Sequence, residues 1–138
     1  MHPFNIPTAN IKIDMDFIQK VNSESLYSLV KIEALAGSDS SFVNEIVETF
    51  KIVIPNYLDQ ISKGLLSNDF SAIHRAAHQM KPTMDIFEIV SAMALVREIE
   101  KDALQLNPNV LELERDLKKM EEIIGAVIQD LNLRFKKN

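Results

Sequence analysis

The sequence predicts an all-α fold: an antiparallel up-down four-helix bundle with a short N-terminal helix across one end. Three observations carry this. Apolar residues recur at steps of three and four along four long segments, the period of a helix face. Those segments are joined by short connections, which make successive helices antiparallel neighbours. The 138 residues contain 3 Gly and 5 Pro, too few for a turn-rich all-β chain.

Each element has its own signals. Residues 1–22 read as an N-terminal arm and 23–138 as the bundle domain. Within the arm, Ile11, Ile13, Met15 and Phe17 alternate with Lys12, Asp14 and Asp16. That is a strand-like period without a second strand to pair with, so an extended segment is expected. A short helix follows from about Ser25 to Ala36, ended by Gly37. Asp39 suits the N-cap of the first long helix, whose expected inward positions are Phe42, Ile46, Thr49/Phe50, Val53, Leu58, Ile61 and Leu65. Pro55 is expected to kink or divide it. Asp69 caps the second helix, with Phe70, Ile73, Ala77, Met80, Met84 and Phe87 inward. Ile89, Ala92, Val96, Ile99, Ala103 and Leu106 mark the third. Asn107-Pro108 ends it and places Pro in the first turn of the fourth. Leu113, Leu117, Met120, Ile124, Val127, Leu131 and Phe135 mark that last helix, and Arg134, Lys136 and Lys137 complement its negative pole.

Composition narrows the function classes. There is no Cys, which removes disulfides, thiolate nucleophiles and Cys-based zinc sites. Lys+Arg total 15 against 20 Asp+Glu, a net charge of -5, which argues against a nucleic-acid partner. The N-terminal residues lack the basic start and apolar run of a signal peptide. No apolar run approaches the ~20 residues that span a bilayer, so no membrane role is expected and the reading is cytoplasmic.

The chemistry-bearing residues gather on the second long helix. Of three histidines, His2 lies in the arm, while His74 and His78 are four apart. At ~100° per residue they share one face. Ile73, Ala76, Ala77, Met80 and Met84 fall about 100–160° from His78, whereas Ser71, His74, Lys81, Pro82 and Asp85 fall within about 60°. His78 is therefore expected on the solvent side. Its imidazole is nucleophilic near neutral pH, because an unperturbed histidine titrates at ~6.5. Lys81, one turn on, can offset the charge of a phosphoryl group on the ring. Pro82 removes the N–H that would bond the His78 carbonyl, a cost of ~3 kcal/mol within a helix.

The run Ala76-Ala77-His78-Gln79-Met80-Lys81-Pro82-Thr83 resembles the signature of histidine-containing phosphotransfer (HPt) domains: Ala-His-x-(Leu/Met/Ile)-Lys, then Gly or Pro, then Ser or Thr. The resemblance extends to Leu35–Phe42, the turn into the first long helix, and to Asn68-Asp69-Phe70, the turn into the His-bearing helix, and covers roughly Leu26 to Phe135. It implies a non-autocatalytic phosphocarrier in two-component signalling. His78 would hold the phosphoryl group and Lys81 support it, between aspartates of response-regulator receiver domains and hybrid sensor histidine kinases. Ser71, His74, Arg75, Pro82, Asp85 and Glu88 would contact the partner. No cofactor is implied, because the receiver brings Mg²⁺. The sequence also holds no Gly-rich phosphate loop or kinase ATP motif.

One position departs from the family pattern. Gly is usual ten residues after the histidine, where this chain has Glu88. A second reading is therefore a helical module that docks receivers or other proteins without carrying phosphate. A third, zinc on His74 and His78, needs another ligand. The acidic pairs Asp14/Asp16, Glu98/Glu100 and Glu121/Glu122 read as solvated faces.

Overall fold

The computed structural model describes residues 26–135, and the expected arm at 1–22, His2, Lys136 and Lys137 lie outside them. Five helices are present and no strand among the described residues. They are α1 (Val30–Ala36), α2 (Ser40–Ser67), α3 (Phe70–Ile86), α4 (Val90–Ala103) and α5 (Val110–Arg134). Each long helix packs on the next in sequence, α5 returns to pack on α2, and α1 rests on α2.

Local signals set the boundaries. The Asp39 carboxylate accepts from the Ser41 and Phe42 amides, and Asp69 accepts from Ala72. Asn68, in the left-handed region at φ 55°, ends α2. α1 is shorter than expected, because Tyr27 and Leu29 reach the core from a non-helical lead-in whose Ser28 amide donates to the Phe87 carbonyl. The Tyr27 hydroxyl donates to Asp130 at 2.5 Å and accepts from Arg134 at 3.0 Å, tying that lead-in to α5. Burial together with the Asp130 carboxylate pushes the Tyr27 phenol up to about 12.

Four expectations are corrected. Pro55 does not divide α2, which runs unbroken from Ser40 to Ser67. Pro55 and Lys51, whose carbonyl lacks its usual donor, are both only half-buried, so the gap lies away from the centre of the bundle. The first half of α2 is rotated by one residue from the expected phase: Val43, Val47, Phe50 and Ile54 are buried. Phe42, Ile46 and Val53 instead flank a shallow groove of about 220 Å³ completed by Thr83 and Ile86. Two apolar stripes run side by side there, and periodicity alone does not rank them. Leu106 lies beyond the end of α4 and is 95% exposed. Pro108 precedes the N-cap of α5, because the Asn109 side chain takes the Glu112 amide and so caps the helix.

The core fills the space between the four long helices. Phe50 and Phe87 pack at a centroid distance of 4.3 Å, beside Ile54, Ile73, Met80 and Met84, all essentially sealed from solvent. Gly64 permits the α2–α3 corner. A β-carbon there would stand 2.7 Å from Ile73 Cγ1 and 3.0 Å from the Asp69 carbonyl oxygen.

Candidate functional site

The site begins with the phase of α3. Its inner face buries Ile73, Ala76, Ala77, Met80 and Met84, which turns His78 outward as the sequence predicts. The His78 side chain is 65% exposed. Pro82 sits within α3 and is exposed; the helix continues one turn past it to Ile86, so Pro82 does not end the helix.

Glu100, on α4, organises this face. Its carboxylate oxygen Oε2 lies 2.6 Å from His78 Nδ1, and Oε1 lies 2.9 Å from Lys81 Nζ. The Glu100 side chain is only 16% exposed. Hydrogen bonding from Lys81, reinforced by His78, holds its carboxyl below the ordinary value of 4.5 against the opposing effect of burial. Glu100 is therefore an anion, and an anion accepts. The proton in this contact sits on Nδ1 of His78. In a neutral imidazole that leaves Nε2 with the free lone pair. The expectation that Glu98 and Glu100 form a solvated face fails for Glu100, because the packing of α4 on α3 carries it to His78.

His74 joins the same group. Its Nδ1 donates to the backbone carbonyl of Glu100 at 3.2 Å, and its ring lies 6.1 Å from that of His78, inclined by 22°. Both Nδ1 atoms are thus committed to Glu100. Among the described residues the histidine pair enters no cluster of three metal-ligating groups.

The other expected residues surround this centre without joining it. Arg75 donates to the Ser71 hydroxyl at 3.0 Å, and both are exposed. Asp85 lies 3.4 Å from Lys31 of α1, an exposed and weak pair. Glu88 lies past the helix end at Ile86, which at ~1.5 Å per residue is itself ~12 Å along the axis from His78. Salt screens charge over ~8–10 Å, so Glu88 has little electrostatic reach to the imidazole.

The backbone explains why Glu88 stands where Gly is usual. Its φ is 50°, in the left-handed region. The Ile89 amide bonds the Met84 carbonyl at 3.0 Å and the Glu88 amide bonds the Asp85 carbonyl at 3.0 Å, the paired bonds of a Schellman ending. Its left-handed residue is most often Gly, because a β-carbon is strained there. This chain makes the same turn with Glu and bears the strain.

Glu100 carries a partial local signal: it lies four residues past the buried Val96, at the edge of the apolar stripe of α4, which separates it from Glu98 and Asp102. That it meets His78 follows only from the register of α4 against α3, an outcome of packing.

A family model described as Hpt domain matches residues 45–130, more than half of the 138. No curated protein matches the chain, and no solved structure does.

Proposed function

The chain belongs to the Hpt domain family, a family of phosphotransfer modules in two-component signalling, and from that premise we propose that it is a phosphorelay intermediate carrying a phosphoryl group on His78 Nε2. The observation that carries this reading is the bond between His78 Nδ1 and Glu100, which in the neutral imidazole leaves the lone pair on Nε2 of a side chain that is 65% exposed.

In the forward step, the Nε2 lone pair attacks the phosphorus of an aspartyl phosphate on a receiver domain. The P–O bond to that aspartate breaks, and its electron pair returns to the carboxylate. Positive charge develops on the imidazole as the N–P bond forms. Glu100 faces the Nδ1–H and stabilises that charge without having to reorganise. Lys81 grips the second oxygen of Glu100 and brings a cation within one turn of the ring. The reverse step returns the group to a second receiver, which supplies its own aspartate and Mg²⁺.

In this reading the chain is a phosphocarrier rather than an enzyme acting alone, and its partners are receiver domains and hybrid sensor kinases. The exposed residues Ser71, Arg75, Pro82 and Asp85 form the ground on which a receiver would dock. The short connections between consecutively packed helices support an antiparallel up-down course, with α1 across one end. No helix among the described residues is long and apolar enough to cross a membrane, which accords with a cytoplasmic location.

The test is to mix the protein with phosphorylated receivers and measure acid-labile phosphate. Labelling should appear on the native chain and vanish in His78→Gln with the helical signal unchanged. Undiminished labelling of that variant overturns the assignment. Receiver binding without any labelling would favour the docking module.

A further inference from the structure

A second group of acids lies on the opposite side of α4. Glu98 and Asp102 are four residues apart and each falls ~160° around the helix from Glu100, in opposite senses, so they share a face turned from His78. Asp116 of α5 meets them there. One carboxylate oxygen from each of the three lies within 4.8 Å of the others.

Asp116 separates this group from an ordinary acidic surface. It is 8% exposed and is the only charged residue in the core among the described residues. Its Oδ2 is buried and has no hydrogen-bond partner among the described residues. Native proteins rarely leave such an atom unsatisfied, because desolvation without a partner costs free energy. Burial and then the Glu98 charge push its carboxyl above the ordinary value, and Glu112 adds to the negative field. Lys119 opposes it only at a distance, and no Lys or Arg among the described residues forms an ion pair with Glu98, Asp102 or Asp116.

A cation would satisfy all three groups. Bonds from Ca²⁺ to oxygen run ~2.3–2.6 Å, so two oxygens on one ion can stand no more than about 5 Å apart. The observed spacing meets that limit. An all-carboxylate set with no nitrogen or sulfur selects a hard ion. We propose that Glu98, Asp102 and Asp116 form a divalent-cation site that clips α4 to α5, taking Ca²⁺ or Mn²⁺ with water completing the shell. Two ligands come from one helix and one from its neighbour, so binding would stabilise the packed bundle over the unfolded chain.

The full chain, stripped with chelator, should be melted in matched ionic strength with NaCl alone, CaCl2, MnCl2 or MgCl2. With a dissociation constant of ~10⁻⁴ M, a value typical of weak carboxylate sites, roughly 10 mM ion should raise Tm by about 5–10 °C. Ca²⁺ and Mn²⁺ should act most strongly, since Mg²⁺ demands stricter geometry and sheds water reluctantly. Asp116→Asn should fold in NaCl alone, because it removes a desolvated charge, yet lose most of the cation response. The double variant Glu98→Gln/Asp102→Asn should lose it too. Mn²⁺ should broaden the backbone NMR signals of residues near 98, 102 and 116 ahead of those near 78. No rise in Tm with any of the three ions, an undiminished rise in the variants, or broadening centred elsewhere would overturn the site. None of these readouts involves phosphate, so they stand independently of phosphotransfer.

Discussion

The inner face of α3 holds Ile73, Ala76, Ala77, Met80 and Met84, each with no solvent exposure, while four residues of its outer face carry His74, His78, Lys81 and Pro82 into contact with polar groups or water. One helix thus serves two purposes through two kinds of physics. Inside, position follows from volume and the exclusion of water, and many apolar side chains share the burden. Outside, function converges on a single carboxylate: Glu100 holds His78, Lys81 and, through its backbone, His74. The contrast teaches that stability and chemistry can be damaged separately on this helix.

The largest expected effect strikes the inner face. Met80→Ala should destabilise by ~2–5 kcal/mol, since it empties a sealed position directly behind the site. Denaturant melts give the loss, and phosphotransfer by the fraction still folded should stay near the native rate. A loss within the scatter of the melts would break the division between the two faces.

Glu100→Ala is the matching change outside. A hydrogen bond to a charged group is worth ~1.5–3 kcal/mol, so removal of the anion from Nδ1 should slow transfer by ~10–100-fold. Rapid-quench phosphotransfer measures it, and circular dichroism should show the helices intact. An unchanged rate would reduce Glu100 to a surface acid.

Glu88→Gly sharpens the comparison at the end of the helix. Relief of the left-handed strain should raise stability by up to ~1 kcal/mol, partly offset by the freedom Gly adds to the unfolded chain. Transfer should hardly change, because the residue lies past the end of α3, whose last residue is already ~12 Å along the axis from His78. A large change in rate with unchanged stability would instead make Glu88 a determinant of docking.

The smallest effect concerns pH. The Glu100 carboxyl is held below 4.5 in the fold, so its contribution to stability is present above that value and is lost as pH falls through the lowered one. Compared with Glu100→Gln, the native chain should keep an advantage of a few tenths of a kcal/mol at neutral pH, since Lys81 and His78 are solvent-screened. The advantage should fade in acid melts below about 4.5. If it persisted to the lowest pH, something other than the ionised carboxylate would hold the clasp.

The inner face was largely legible in the sequence. The steps linking Ile73, Ala77, Met80 and Met84 fix the phase of α3, and Asp39 and Asp69 announce the starts of α2 and α3 through their side-chain chemistry. His78 and Lys81 were legible as an outward pair for the same reason. The phase of α2 before Pro55 was not, because Phe42 and Val43, Ile46 and Val47, and Val53 and Ile54 offer adjacent apolar choices that only neighbouring helices decide. Glu100 was only half legible, for a related reason. Its place four residues past Val96 sets it at the edge of the apolar stripe of α4, but its approach to His78 arises from the register of α4 on α3 across 22 residues of sequence. Asp116 was legible in its phase, three residues after Leu113 and four before Met120 on the inward stripe of α5, but its meeting with Glu98 and Asp102 follows only from the packing of α5 on α4.

The central claim is that Glu100 holds the Nδ1 proton of His78 so that Nε2 carries the phosphoryl group. Two-dimensional ¹H–¹⁵N correlation of the histidine rings, before and after phosphorylation by a receiver, tests it most directly. The account predicts that unphosphorylated His78 is protonated at Nδ1, and that the new N–P coupling appears at Nε2 of His78. Phosphate on Nδ1, or a folded, receiver-treated chain in which His78 shows no N–P coupling at all, would contradict it.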